Sequence, residues 1–158
     1  MTAPAAAGRV NLHVTVVVAG VAGVMILGRS GAGKSSLALA VVEHFRLRGR
    51  FAALVADDGV WLSVAAGRLV AEAPQAIAGL VEIRGLGPAA CDHEPRAVID
   101  RAVRLVPRAD APRIAAEGAA ETVLGLAIPA LDLAEGDTAG AVRALVAWLE
   151  TARAAPGS

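Results

Sequence analysis

Cysteine, lysine and aromatic side chains are nearly missing from this chain, and each shortage closes a class of explanation. Among 158 residues there are one cysteine (Cys91), two tryptophans, two phenylalanines and no tyrosine. A single thiol makes no intramolecular disulfide, and no Cys/His cluster carries the spacing of structural zinc, so a reducing compartment is expected. Fifteen basic and fifteen acidic residues cancel to zero formal charge. That removes the basic excess of a protein that grips phosphate backbones along a groove, so nucleic acid is not an expected partner. The longest apolar run, Val14 to Leu27, has 14 residues and is interrupted by Gly20 and Gly23, whereas a bilayer span needs about 20. No membrane anchor is expected. The run passes directly into a glycine-rich motif, where cleavage of a signal peptide would destroy the domain, and the expected location is the cytoplasm.

What is present is a folding chain. Hydrophobic residues make up 56% against 19% charged, enough to bury a core, and the length suits one compact domain. The expected division is a flexible N-terminus over residues 1–9, one folded domain over 10–153 and a flexible tail over 154–158. Self-association is expected, since so apolar a small chain has much surface to cover.

Leu12 to Val18 and Val24 to Leu27 are apolar and β-rich, separated by a turn at Ala19 to Gly23. A glycine-punctuated loop follows, then helical spacing of Leu37, Ala40, Val41 and Phe45 over Ser35 to Arg48. Phe51 to Ala56 reads as a third strand closed by Asp57-Asp58-Gly59, and Val60 to Val64 as a fourth. Ala65 to Ile83 suggests a meander of short antiparallel pieces. Arg84 to Pro95 reads as a flexible loop beside the site. Ala102 to Val106 and Thr122 to Ile128 fit strands, although Ala97 to Leu105 fits a helix by periodicity as well. Thr138 to Arg153 is an amphipathic helix capped by Asp137 or Thr138. The fold class expected is α/β, with a mixed β-sheet and flanking helices.

Gly28-Arg29-Ser30-Gly31-Ala32-Gly33-Lys34-Ser35 fits G-x-x-x-x-G-K-[ST] between a buried strand and an amphipathic helix, the context the motif requires. Glycines let such a loop curl until successive N–H groups point at a phosphate, and the helix N-terminus adds partial positive charge. ATP and Mg²⁺ are the expected ligands: Lys34 on the β- and γ-phosphates, the Ser35 hydroxyl on the metal. Of the fifteen basic residues, fourteen are arginine and Lys34 is the only lysine, so this position uses a compact ammonium in a chain that otherwise prefers the guanidinium fork.

Asp57 and Asp58 end an apolar strand, where a carboxylate faces metal across a phosphate loop. Alternation sends the two neighbours different ways. One can serve metal or water while the other meets an incoming hydroxyl; an ordinary Asp-Asp-Gly turn accounts for the same tripeptide. Cys91, Asp92 and His93 are consecutive and cannot converge on one ion from a regular strand or helix. His44 reads as packed or solvated, Trp61 and Trp148 as core or partner contacts.

These pieces together resemble the HPr kinase/phosphorylase family in its C-terminal catalytic domain. Leu12-His13, the phosphate loop, Leu54-Val55-Ala56-Asp57-Asp58 and Val81-Glu82-Ile83-Arg84-Gly85-Leu86-Gly87 carry the resemblance, in that order, over roughly residues 10–130. The last segment is similar to the family signature. The resemblance implies phosphorylation of a serine of HPr, the phosphocarrier of the sugar phosphotransferase system, and in many members removal of that phosphate with inorganic phosphate, releasing pyrophosphate. It implies Asp58 as proton acceptor, His13, Lys34, Asp57, Arg84 and Arg113 as further active-site residues, and Ser35 and Glu82 as Mg²⁺ ligands. Arg108 is a neighbouring candidate for the role given to Arg113. A hexamer is implied too. Ser36 stands where the family usually has glutamate, and the chain resembles the short form without the extra N-terminal domain. The segment tied to dephosphorylation has no clear counterpart around Ala130 to Asp137. A small-molecule P-loop kinase and a non-catalytic ATP-binding sensor are the alternative readings.

Overall fold

The computed structural model describes residues 8–154; the expectations for residues 1–7 and 155–158 lie outside the described residues. Val10–Leu12 (β1) and Thr15–Ala19 (β2) divide what reads as one strand in the sequence, with the break at His13 and Val14. β3 (Ala22–Leu27) enters the phosphate loop, α1 (Lys34–Leu47) leaves it, and β4 (Ala52–Ala56) returns from the helix. The central section holds β5 (Val60–Ala65), β6 (Arg68–Glu72), β7 (Leu80–Ile83), β8 (Gly87–Ala90), β9 (Arg96–Val98) and β10 (Arg101–Val106). β11 (Ala120–Val123), β12 (Leu126–Ala134) and α2 (Thr138–Ala154) complete the order. Asp137 caps α2, its carboxylate accepting the Gly140 N–H at 3.0 Å.

One open alternative is decided and two local expectations change. Residues 97–105 contribute to β9 and β10 and not to a helix, because Ala102 finds an apolar layer on one side of the sheet while Val103 and Leu105 find one on the other. Arg84 to Pro95 contains β8, which folds back on β7 through the left-handed Gly85 and Gly87 to make a hairpin. Thr122 to Ile128 is also a hairpin, turning at Leu124 and Gly125.

The main sheet has six strands in the order β11-β12-β10-β3-β2-β4 and is mixed. β3, β10 and β12 are parallel, while β2 runs antiparallel to both β3 and β4. Since β2 is reversed between them, β3 and β4 point the same way. The C-terminal ends of β3 and β4 and the start of β2 therefore meet at one end of the sheet, and there the site forms.

Alternation assigns the two faces. Val17, Val24, Ile26 and Val103 pack with Leu37, Val41 and Phe45 of α1 and Leu145 and Leu149 of α2. Val16, Met25, Ala102 and Ala130 pack instead against Leu62, Leu69 and Ala71, which belong to a second, antiparallel sheet of order β1-β5-β6-β9. Both helices thus flank one face, and a sheet covers the other. At Gly23 the β9–β10 connection approaches so closely that a Cβ would lie 1.9 Å from the Val98 carbonyl oxygen; only glycine fits there. Among the described residues no helix is long and apolar enough to cross a membrane.

Candidate active site

β3 is buried on both faces and delivers the chain into a tight curl, with Gly31 at φ +82° and Gly33 at φ +103°. Both values lie in the left-handed region that a side chain disfavours. α1 starts at Lys34, so its unpaired N–H groups and partial positive charge face the loop. The Lys34 side chain is turned inward and only 6% exposed. Its ammonium donates to the carbonyl oxygens of Gly28 at 2.9 Å and Arg29 at 3.3 Å and stands 3.6 Å from the Asp58 carboxylate.

Asp57 reaches the same place because of an irregularity in β4. Val16 pairs with Ala56 but Val17 pairs with Leu54, leaving Val55 as an extra residue. Ala52 and Leu54 pack on the helix side, whereas Val55 and Ala56 both pack on the opposite side. One inserted residue flips everything after it to the other face. Asp57 consequently faces α1, where its Oδ1 accepts the Ser35 hydroxyl at 2.6 Å and the Thr15 hydroxyl at 3.0 Å. Its Oδ2 accepts the backbone N–H of Glu82 at 2.9 Å. Asp57 is therefore buried and fully bonded.

Asp58 is its opposite in every respect. Its side chain is 52% exposed, it occupies the left-handed region at φ +49°, and its N–H donates to Thr15 Oγ1 at 3.1 Å. With Ser30, Lys34 and Ser35 it lines one wall of a cleft of about 540 Å³, and Glu82, Arg84 and Leu86 of the β7–β8 hairpin line the other. Ser35 and Glu82 are hard oxygen donors suited to Mg²⁺. Among the described residues no group of three or more His, Cys, Asp or Glu forms a metal cage.

Not every sequence-predicted residue reaches this cleft. His13 is exposed on the β1–β2 connection, and Arg113 is exposed in the segment between β10 and β11; neither lines the cleft. The Arg29 guanidinium turns away to Glu135 at the end of β12, with Nε 3.0 Å from the carboxylate, and this pairing strengthens its charge. Gly28 and Ala32 shape the loop from beneath: a Cβ on Gly28 would stand 3.1 Å from that of Ala32. The Cys91 thiol is held above its ordinary range, first by burial and then by the charges of Asp57 and Asp92. Thr15 escaped the sequence reading, although a lone hydroxyl in Thr-Val-Val-Val-Ala was a signal. A hollow of about 250 Å³ at the opposite end of the sheet holds none of the predicted residues, and its Arg50 is engaged with Glu150 and the Phe45 ring.

The profile described as the HPr Serine kinase C-terminal domain matches residues 5–91, more than half of the chain. The chain belongs to that family. The match spans the phosphate loop, the Asp57-Asp58 pair and the hairpin. HPr kinase/phosphorylase of Caldicellulosiruptor bescii is 46% identical over 82 residues, 51% of this chain and 24% of that protein. The protein of the same name from Bordetella pertussis is 48% identical over 66 residues, 41% and 20% respectively. The chain thus matches about a quarter or less of the length of these relatives. The fold is similar to that of the HPr(Ser) kinase/phosphatase from Coxiella burnetii, with a TM-score of 0.71 over 90% of each chain at 22% identity.

Proposed function

We propose that this chain is an ATP- and Mg²⁺-dependent protein serine kinase whose substrate is an HPr-type phosphocarrier, with residues 10–153 as the catalytic domain. The observation that carries this reading is the exposed Asp58 carboxylate 3.6 Å from the buried Lys34 ammonium at the mouth of a phosphate loop. A carboxylate open to a protein substrate and adjacent to the γ-phosphate cradle is where a proton acceptor belongs.

The loop from Gly28 to Ser35 binds and orients the triphosphate, and Lys34 neutralises charge on its β- and γ-phosphates. Ser35 and Glu82 hold Mg²⁺, which neutralises phosphate charge when bound. Asp57, buried among its donors, fixes the Ser35 hydroxyl. As the substrate serine oxygen attacks the γ-phosphorus, its proton passes to Asp58 and the bond to ADP breaks. Arg84 on the hairpin supplies a cation at the open side of the cleft. His13 and Arg113 stand outside the cleft and take no part in this step; in removal of the phosphate, an oxygen of inorganic phosphate would attack the phosphoserine phosphorus, the bond to the serine oxygen would break with Asp58 returning the proton, and pyrophosphate would leave.

The test is transfer of labelled γ-phosphate from ATP to purified HPr-type phosphocarriers, with a serine-to-alanine HPr and Lys34→Ala as controls. Labelling lost in both controls is expected. Bound ATP with no labelling of any phosphocarrier would overturn the kinase reading, and phosphorylation of a metabolite instead would replace it with a small-molecule kinase.

A further inference from the structure

We propose that Thr15 is a positioning residue that sets the geometry of both aspartates through one hydroxyl group. Thr15 is completely buried, and it is the only polar side chain of β2, whose other residues are three valines and an alanine. A buried hydroxyl needs partners, and this one has two of opposite kind. It donates to Asp57 Oδ1 at 3.0 Å and accepts the N–H of Asp58 at 3.1 Å.

The register explains why it can do both. Val16 lies opposite Ala56, so Thr15 and Asp57 are the next cross-strand pair, on the same face of the sheet. The extra residue at Val55 is what turns Asp57 toward that face; without it, Thr15 would look at an apolar position. Beyond Asp57 the chain leaves the strand, and Asp58 takes up a conformation uncommon for any residue but glycine, at φ +49°. The Thr15 oxygen anchors the amide of that residue. Of the bonds around Asp57, the one from Ser35 fixes the phosphate-loop side and the one from Glu82 fixes the hairpin. Thr15 joins the Asp57 carboxylate to the Asp58 amide through one oxygen, while the next amide, that of Gly59, donates to the Val14 carbonyl at 3.1 Å and holds the far side of the turn.

The inference rests on the kinase reading and deepens it: Thr15 acts on the transfer step through Asp58, not on nucleotide binding. Thr15→Val keeps the shape and removes the hydroxyl. The expected result is a fall in kcat of about 10- to 100-fold, the scale of a base displaced by a fraction of an ångström to an ångström, with KM for ATP and ADP affinity within about twofold of wild type. Thr15→Ser, which restores the hydroxyl, is expected to recover kcat to within a few-fold. The Asp58 amide should exchange hydrogen faster in Thr15→Val, a readout independent of activity. A kcat for Thr15→Val within twofold of an active wild type would overturn the role of Thr15 alone. Loss of ADP affinity in step with kcat, unrescued by serine, would overturn it in favour of general structural damage. An inactive wild type that still binds ATP would overturn the kinase reading and this inference with it.

Discussion

The two walls of the cleft are built on different principles. On the strand side, Asp57 is buried behind the phosphate loop, and its two carboxylate oxygens accept three hydrogen bonds, Oδ1 from α1 and β2 and Oδ2 from the hairpin backbone. On the hairpin side, Glu82, Arg84 and Leu86 are exposed, and β7 and β8 pair with each other as a separate two-stranded sheet. Val81, with the half-buried Ile83 packed beside it, joins β7 to the helix-side core. Groups that must hold charged phosphate benefit from preorganisation, since a fixed dipole costs nothing to reorient when charge develops. Groups that must meet a second macromolecule benefit from exposure. On the proposed reading the first wall handles most of the phosphate, with Glu82 reaching across as a metal ligand, and the exposed hairpin tip is left to meet the substrate.

Asp58 stands at the boundary, and its substitution should produce the largest effect. Asp58→Asn is expected to lower kcat by about 10²- to 10⁴-fold, the worth of a positioned base, while ATP still binds. Single-turnover transfer alongside equilibrium nucleotide binding checks this, and unchanged transfer would take Asp58 out of the mechanism.

The next effect separates the walls by stability. Asp57→Ala leaves the Ser35 and Thr15 hydroxyls and the Glu82 N–H without their acceptor, and is expected to destabilise the fold by about 2–3 kcal/mol. Leu86→Ser, at a tip that is 75% exposed, should stay within about 0.5 kcal/mol. Urea unfolding curves of both variants test the pair, and equal losses would erase the distinction between a bonded wall and an open one.

The smallest effect reads out the Asp57 charge itself. Burial comes first and Asp57 second in raising the Cys91 thiol, so at pH 7–8 the group is held in its unreactive protonated form. Removing a negative charge favours the thiolate. Asp57→Asn should therefore shift the pH–rate curve for iodoacetamide alkylation of Cys91 toward lower pH, though not to that of a free thiol, because burial remains. A curve that does not move would show that the hairpin end is electrically remote from Asp57.

Much of the strand-side wall could be read from sequence, and the reason is local. The phosphate loop is continuous, its glycines are needed for its own backbone path, and its neighbours are a buried strand and a helix. The Asp57-Asp58 pair was legible as two carboxylates at a strand end with different environments, and one is buried while the other is open; the cause, however, is the extra residue at Val55 and the left-handed turn at Asp58, not alternation along a strand. Thr15 carried only the weak signal of one hydroxyl in an apolar strand, and its role was hidden because its partners are 42 and 43 residues away and a threonine is an ordinary strand former. Arg29 lies in the phosphate loop by its place in the motif, but the direction of its long side chain could not be read locally, since it reaches Glu135, 106 residues on. The hairpin at Arg84 to Pro95 was hidden by its glycines and prolines, which mark a loop as readily as the turn and edge of a two-stranded sheet.

The sequence by itself determined the identity and order of the reactive groups: the one lysine, the serine after it, the two aspartates at a strand end, and the glycine-rich segment carrying Glu82 and Arg84. Local spacing and composition are enough to specify these, because each lies within a few residues of the turn or helix that it needs. Tertiary structure alone decided where they point. A single extra residue at Val55 rotates Asp57 from the sheet-covered face to the helix face, and the reversed β2 between β3 and β4 brings Thr15 beneath it. Strand register is fixed by pairing across the sheet and by which apolar layer each side chain enters, and neither is written in any one segment of the chain.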